Sequence, residues 1–374
     1  MSRPIPYGRQ SIDEDDIRAV VAALRSDYLT TGPKVAEFEA AMAGVCGAGH
    51  GVAVSSGTAA LHAAMHALGI GPGHEVIVPP MTFAATTNCV LYQGGTPVFA
   101  DVDQDTLLID PACVERKITP RTRAIIAVDY AGQPCDWSAL RALADRHGLA
   151  LVADGCHALG AQYHGRPVGC LADMTVFSFH PVKHVATGEG GMVVTDDEAL
   201  ANRLRTFRNH GITSDFRSRE ASGSWFYEMA ELGYNYRLTD IQCALGLSQL
   251  NKLPSFLARR RAIAGVYDTA FAGTSVRPLA LVADRLHAYH LYVVRVPRRG
   301  EVFSALRAAG IGVNVHYIPV HLHPYYRERL GTGPGLCPVA EAAYEEILSL
   351  PMFPGLADED VARVINAVLE AVHA

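Results

Sequence analysis

The tightest constraint on this sequence is an alternation of two patterns. Seven short apolar runs rich in Val and Ile lie at Gly51–Val54, Glu75–Val78, Thr96–Val102, Ala124–Tyr130, Ala150–Asp154, Met174–Phe179 and Gly191–Thr195. Helical spacing separates several of them, at Thr58–Leu68, Thr82–Leu91 and Ser138–His147. Strands that read as continuous apolar runs are buried on both faces. Alternation with helices predicts an α/β fold, a mostly parallel sheet covered by helices on each side. A long helix is expected from Thr239 to Arg261. Beyond it, His290–Val296 reads as a strand, Glu301–Ala309 as a helix and Asp358–Ala374 as a final amphipathic helix. That predicts a large domain over residues 1–250, with the N-terminal segment, and a smaller C-terminal α+β domain over residues 251–374. His321–Tyr326 (HLHPYY) reads as an irregular loop.

The chain is 374 residues long, which suits two such domains, and its 49% hydrophobic content supplies a substantial core. The net charge of −6 offers nothing to nucleic acid or an anionic membrane. No apolar run reaches the length of a membrane span, and the N-terminal stretch lacks a signal-peptide core. Eight cysteines, none in a C-x-x-C pair, predict free thiols in a reducing cytoplasm. No metal is expected.

Basic residues are distributed unevenly, with 28 arginines and four lysines: Lys34, Lys117, Lys183 and Lys252. A chemistry that needs a primary amine therefore has four candidates. Lys183 follows the run Met174–Phe179 and is flanked by Pro181, Val182 and a Gly188-Glu189-Gly190-Gly191 turn. Partial desolvation at such a place lowers an amine's pKa and frees it as a nucleophile. The competing reading is a surface lysine with a solvated tip.

Two earlier segments carry related signals. Ser55-Ser56-Gly57-Thr58 joins a strand to a helix, and a helix N-terminus presents free N–H groups to a phosphate. An ordinary Ser cap explains the same residues equally well. Asp154 ends a buried strand, at the edge where open α/β sheets bind ligands. A carboxylate there suits a cofactor whose ring nitrogen must stay protonated, although a capping Asp is common. His157 lies three residues on; a lone His is more often structural. Together the order is phosphate cradle, Asp at a strand end, then Ser178 and Lys183 after a later strand. It matches the large domain of aspartate-aminotransferase-like enzymes, the fold-type I pyridoxal-phosphate architecture.

The sequence resembles the DegT/DnrJ/EryC1/StrS sugar aminotransferases over nearly its whole length. The matching strings are SSGTAALHAA, PPMTFAATTN, TPVFADVD, VADGCHALGA, FSFHPVKHVATGEGGMVVTDD, NYRLTDIQCALGLSQL and VHYIPVH. The resemblance implies pyridoxal 5'-phosphate as cofactor, held covalently by Lys183, which also moves protons during the reaction. It implies Asp154 at the pyridinium nitrogen, His157 near the phenolic oxygen and Phe83 stacked on the ring. Ser56, Gly57, Thr58 and Ser178 would bind the phosphate. Asn235 would reach the phosphate of a neighbouring subunit, so the site would be complete only in a homodimer. Thr30, Arg237, His316 and Tyr317 would face the sugar nucleotide, with L-glutamate as amino donor. VDYAGQP, VFSFHPVK, YNYRLTDIQCALGLSQL and HLYVV are similar to the branch that makes UDP-4-amino-4,6-dideoxy-N-acetyl-β-L-altrosamine, a pseudaminic acid precursor.

Other readings are weaker. Aminotransferases for GDP-perosamine or for dTDP- and UDP-4-amino sugars share the same motifs. Relatives that dehydrate a sugar carry His where this chain has Lys183. Regulators with this fold carry an added DNA-binding domain, and neither that domain nor a basic patch is found here. A plain dinucleotide-binding protein needs a G-x-G-x-x-G turn opening a helix, whereas the Gly188–Gly191 turn leads into a strand.

Overall fold

The structure is a computed structural model that describes residues 3–214, 219 and 223–373. Its centre is a seven-stranded sheet of order β1-β9-β8-β5-β4-β2-β3. These strands are β1 His50–Val54, β2 Glu75–Val78, β3 Thr96–Phe99, β4 Thr122–Val128, β5 Ala150–Asp154, β8 Met174–Ser178 and β9 Gly191–Thr195. Five of them, β3, β2, β4, β5 and β8, run parallel to one another, and β9 runs antiparallel to both β8 and β1. The fold is α/β of the expected aspartate-aminotransferase type, with one reversed strand.

The continuous apolar runs are buried as the sequence predicts. Val76, Ile77, Val78, Ile125, Ile126, Leu151 and Val152 are sealed from solvent, each such side chain contributing about 1.5–3 kcal/mol by leaving water. Facing residues alternate between two cores. Val52, Val54, Val176 and Val193 pack on one side, and Ala53, Phe177, Met192 and Val194 on the other.

A 32-residue helix, Asp240–Phe271, starts behind the sheet with a capping box at Thr239 and Gln242. It runs ten residues beyond the expected end at Arg261, because Ile263, Ala264, Tyr267 and Phe271 find a third apolar cluster. That cluster includes Val294, Leu348, Val361, Val364 and Val368, and also Ile5 from the N-terminal segment. Beside it lies a three-stranded sheet of β10 Arg277–Pro278, β12 Tyr292–Arg295 and β13 Ile347–Leu350. A second small sheet joins β11 Arg285–Leu286 to β6 Gln162–Tyr163 and β7 Arg166–Pro167. The expected irregular loop at His321–Tyr326 is instead a short helical turn, Val320–Leu322, followed by the helix Pro324–Leu330. Proline at a first helical position costs no hydrogen bond, and this explains the helix start that residue type alone concealed.

Candidate active site

One edge of the large sheet collects the functional chain ends. Val54, Asp154 and Ser178 close β1, β5 and β8 there, and Gly191 opens the reversed strand β9. Register fixes their relation: Gly191 pairs with both Val54 and Ser178, and Asp154 pairs with Val176.

The helix Gly57–Ala67 begins directly after β1. Ser56 caps it, its hydroxyl accepting from the Ala59 N–H at 3.0 Å. The N–H groups of Gly57 and Thr58 have no protein acceptor among the described residues. Close packing requires glycine on both sides of this turn. A Cβ on Gly57 would lie 2.9 Å from Cβ of Ser178, and one on Gly191 would lie 2.3 Å from the Ser56 carbonyl oxygen. The result is a cradle of bare N–H groups and the Ser178 hydroxyl at a positive helix end, a place built for phosphate.

Asp154 is buried at the end of β5. Its carboxylate accepts from the Thr86 hydroxyl at 2.7 Å and from the Cys156 N–H at 3.2 Å. No cationic side chain pairs with it among the described residues. A buried carboxylate without a counter-ion is costly, so the position suits a ligand that brings its own cation. Thr86 lies on the helix Ala84–Tyr92, one turn after Phe83, whose ring is 62% exposed and 6.2 Å from that of Tyr317.

Lys183 sits on the turn after β8, its N–H donating to the His180 carbonyl at 2.8 Å. Burial lowers its amine pKa, and the nearby Cys156 and Asp154 oppose that shift. Its amine lies 3.4 Å from Nε2 of His290. The His290 ring is 4.4 Å from that of His157, and Nε2 of His157 is 3.1 Å from the Tyr317 hydroxyl. Burial holds His157 and His290 well below the usual imidazole range, and the Lys183 charge adds to the effect in both. Both imidazoles are therefore neutral at physiological pH. Tyr317 follows a cis peptide bond from His316. His316 is itself buried, with Nδ1 2.8 Å from the Ser349 hydroxyl and Nε2 accepting from the Asn314 amide at 3.3 Å.

The structure thus brings together Ser56, Gly57, Thr58, Phe83, Asp154, His157, Ser178, Lys183, His316 and Tyr317. No contact among the described residues brings Thr30, Arg237 or Asn235 to that group. The exposed Thr30 bridges Thr239 at the start of the long helix, and Arg237 donates to the Asn209 side chain at 2.9 Å. Asn235 is exposed, and the next residue, Tyr236, accepts from the Ser55 N–H at 2.8 Å. Sequence reasoning missed Thr86 and His290. Neither carries a local signal: one is a threonine inside a helix, the other a histidine leading into a strand. Their roles come from contacts across 68 and 107 residues of chain.

The residues present fit pyridoxal phosphate: free N–H donors for a phosphate, an unpaired buried carboxylate for a ring cation and a desolvated amine for an aldehyde. The model of the DegT/DnrJ/EryC1/StrS aminotransferase family matches residues 10–369. The chain is 45% identical to the spore coat polysaccharide biosynthesis protein SpsC of Bacillus subtilis (strain 168), over 98% of this chain and 97% of that one. Among solved structures it resembles Spr1654 from Streptococcus pneumoniae in its PMP-form, with a TM-score of 0.94, 35% identity and 99% of both chains covered. It also resembles Helicobacter pylori PseC, an aminotransferase involved in the biosynthesis of pseudoaminic acid. There the TM-score is 0.93 and the identity 33%, with 99% of this chain and 100% of that one covered.

Proposed function

The chain belongs to the DegT/DnrJ/EryC1/StrS aminotransferase family and is a pyridoxal-phosphate-dependent sugar aminotransferase; from that premise we propose that it moves an amino group from L-glutamate to C4 of a nucleotide-linked 4-keto-6-deoxy sugar. The substrate we assign is UDP-2-acetamido-2,6-dideoxy-β-L-arabino-hexos-4-ulose, on the way to pseudaminic acid. The observation that carries the transamination reading is the meeting, at one sheet edge, of a desolvated Lys183 amine with a buried Asp154 that forms no ion pair among the described residues. The likeness to PseC and the VDYAGQP segment support the choice of sugar.

Pyridoxal phosphate, once bound, supplies the ring that stabilises negative charge on the carbon losing its proton. The chain's own residues do the rest. Gly57 and Thr58 donate their N–H groups, and Ser178 its hydroxyl, to the phosphate. Asp154 accepts from the ring N–H and holds that proton in place. Phe83 would cover one ring face, and His157, whose Nε2 lies 3.1 Å from the Tyr317 hydroxyl, would stand at the phenolic oxygen. Lys183 takes the proton from the donor's α-carbon on Nζ and returns it one carbon away. The donor would leave as 2-oxoglutarate with uptake of one water, and with the keto-sugar the same transfers would run in reverse, the C4 keto oxygen leaving as water and the amine remaining on C4.

A homodimer and a two-domain division belong to the same proposal. Trp225, 85% exposed, begins a row of exposed apolar side chains with Phe226, Tyr227, Met229, Leu232 and Tyr234, leading directly to Asn235. A patch of that size on one strip of chain marks an interface, and a second copy covering it would bring Asn235 to a neighbouring phosphate. The boundary between a cofactor-binding unit, residues 1–250, and a small unit, residues 251–374, falls inside the long helix. The separate apolar cluster from Ile263 to Val372 supports it. Eight unpaired thiols agree with a cytoplasmic site of action. Among the described residues no helix is long and apolar enough to cross a membrane.

A second reading keeps the reaction and changes the sugar: GDP-perosamine, or another dTDP- or UDP-4-amino sugar destined for a surface polysaccharide. The higher identity to SpsC favours it. UDP-, GDP- and dTDP-linked 4-keto-6-deoxy sugars, offered with L-glutamate and weighed by mass spectrometry, separate the two. The first reading expects amination of the UDP-N-acetyl sugar. Preference for a GDP or dTDP sugar selects the second.

A further inference from the structure

His290 and Lys183 stand in an exclusive relation. Nε2 of His290 lies 3.4 Å from the Lys183 amine, and among the described residues each side chain has no other hydrogen-bond partner. The remaining ring nitrogen of His290, Nδ1, is buried and bonds to nothing. An orphaned buried polar atom costs about 1–3 kcal/mol, and Nδ1 of the neighbouring His157 and His184 has no partner among the described residues either, so what sets His290 apart is its Nε2 contact with the Lys183 amine. The backbone around this ring is held with equal care. Arg260, buried on the long helix with no carboxylate beside it, donates from Nη1 to the carbonyls of Tyr289 at 2.9 Å, His290 at 3.3 Å and Met352 at 2.9 Å. One guanidinium thus ties the long helix to the two chain segments that hold the ring over the amine.

We propose that His290 is a positioning residue for the amine transfer: whenever the Lys183 amine is free of the cofactor, it donates to Nε2 of His290, and Arg260 fixes the ring for that contact. This rests on Lys183 being the cofactor-bearing lysine. The need arises in the reaction itself. Lys183 would be released when the donor's amine takes its place on the cofactor, and it must then wait near the reacting carbon without swinging into solvent. While it waits it carries the proton taken from carbon, and an ammonium needs an acceptor. Asp154 cannot serve, being occupied with the ring nitrogen. Nε2 of His290 accepts the N–H, and the proton stays on Nζ for return to carbon. Burial above all, then the Lys183 charge and the neighbouring His157, His184 and Arg260, disfavours a second proton on the imidazole. The 3.4 Å separation is long, as such contacts often are before ligands tighten a site. The titratable and charged groups facing the pair are Asp154, Cys156, His157, His184, Arg260 and His316.

The test reads the amine and not turnover. Purified full-length protein loaded with pyridoxamine phosphate, which would leave the Lys183 amine free and Asp154 occupied, is labelled with trace acetic anhydride between pH 6 and 11, and acetylation at Lys183 is quantified by mass spectrometry. An acceptor for the ammonium raises the midpoint, so His290→Phe should lower it by about one pH unit or more, while His290→Gln, which keeps an acceptor oxygen, should restore it. An unchanged midpoint in a folded His290→Phe protein overturns the proposal. Should that variant not fold, 15N-histidine spectra of the wild-type protein and of Lys183→Met decide. A shifted Nε2 resonance for His290 is expected, and an unmoved one overturns the contact. Failure here leaves the sugar assay above untouched, and failure of that assay leaves this midpoint measurable.

Discussion

At the sheet edge, Asp154, Ser178, Gly57 and Gly191 are placed by backbone ladders and by glycines that admit no Cβ. Across from them, Lys183, His157, His290 and Tyr317 meet only through side chains from separate stretches of chain. The first wall is stiff because moving Asp154, Ser178 or Gly191 breaks strand pairing, and Gly57 packs against Ser178 with no room for a Cβ. The second is held by a few neutral hydrogen bonds, each worth about 1 kcal/mol, and by burial that keeps its imidazoles uncharged. The division suits the proposed chemistry, in which phosphate and ring would stay fixed while the amine would attach, detach and carry a proton.

The largest effect is expected where the stiff wall is forced apart. Gly191→Val would drive a side chain into the Ser56 carbonyl and the Gly57 N–H, costing about 3 kcal/mol or more and abolishing cofactor uptake. Calorimetry and absorbance titration check both, and an unchanged Tm would show that the close approach is not needed. Asp154→Ala removes one carboxylate and leaves the ladders intact. It should keep some cofactor and lower kcat by about 100- to 1000-fold; an unaltered rate would reassign the ring-nitrogen partner.

The softer wall should show itself as acid lability. Burial pushes His316 down to about 4 from its usual 6.5. The unfolded chain therefore binds the proton first, and stability is full above about pH 6.5 and lost as pH falls toward 4. That one group contributes up to about 3 kcal/mol across the window. Urea melts at pH 7, 6 and 5 should show the slope, and His316→Gln should reduce it, the remainder belonging to the other buried histidines such as His157 and His290. A wild-type curve flat over that range would mean these histidines do not resist protonation. The smallest effect belongs to Tyr317→Phe, which removes the hydroxyl 3.1 Å from His157. A loss of about 1 kcal/mol, a few-fold in kcat with the melting curve nearly unmoved, is expected. A hundred-fold loss would promote Tyr317 to a direct role in proton transfer.

The same division explains what the sequence could disclose. Asp154 and Ser178 end apolar runs, and Ser56-Gly57-Thr58 joins a strand to a helix, so local pattern alone places them at one edge. Lys183 stood out through the scarcity of lysine and its apolar neighbours. His290 and Thr86 carry no such mark. The distances that give them a role are set by how the long helix and the small sheets pack, which no local period encodes. The helix at Pro324–Leu330 escaped for a related reason: its His- and Tyr-rich residues are poor helix formers, and packing of Tyr326 against Asn88 decides the matter.

The central claim is tested most directly by reducing the cofactor-loaded protein with borohydride and mapping the cofactor's mass onto its peptides. The account predicts that the adduct sits on the peptide carrying Lys183 and that Lys183→Ala abolishes it. An adduct on Lys34, Lys117 or Lys252, or the same adduct in the Lys183→Ala protein, would contradict it.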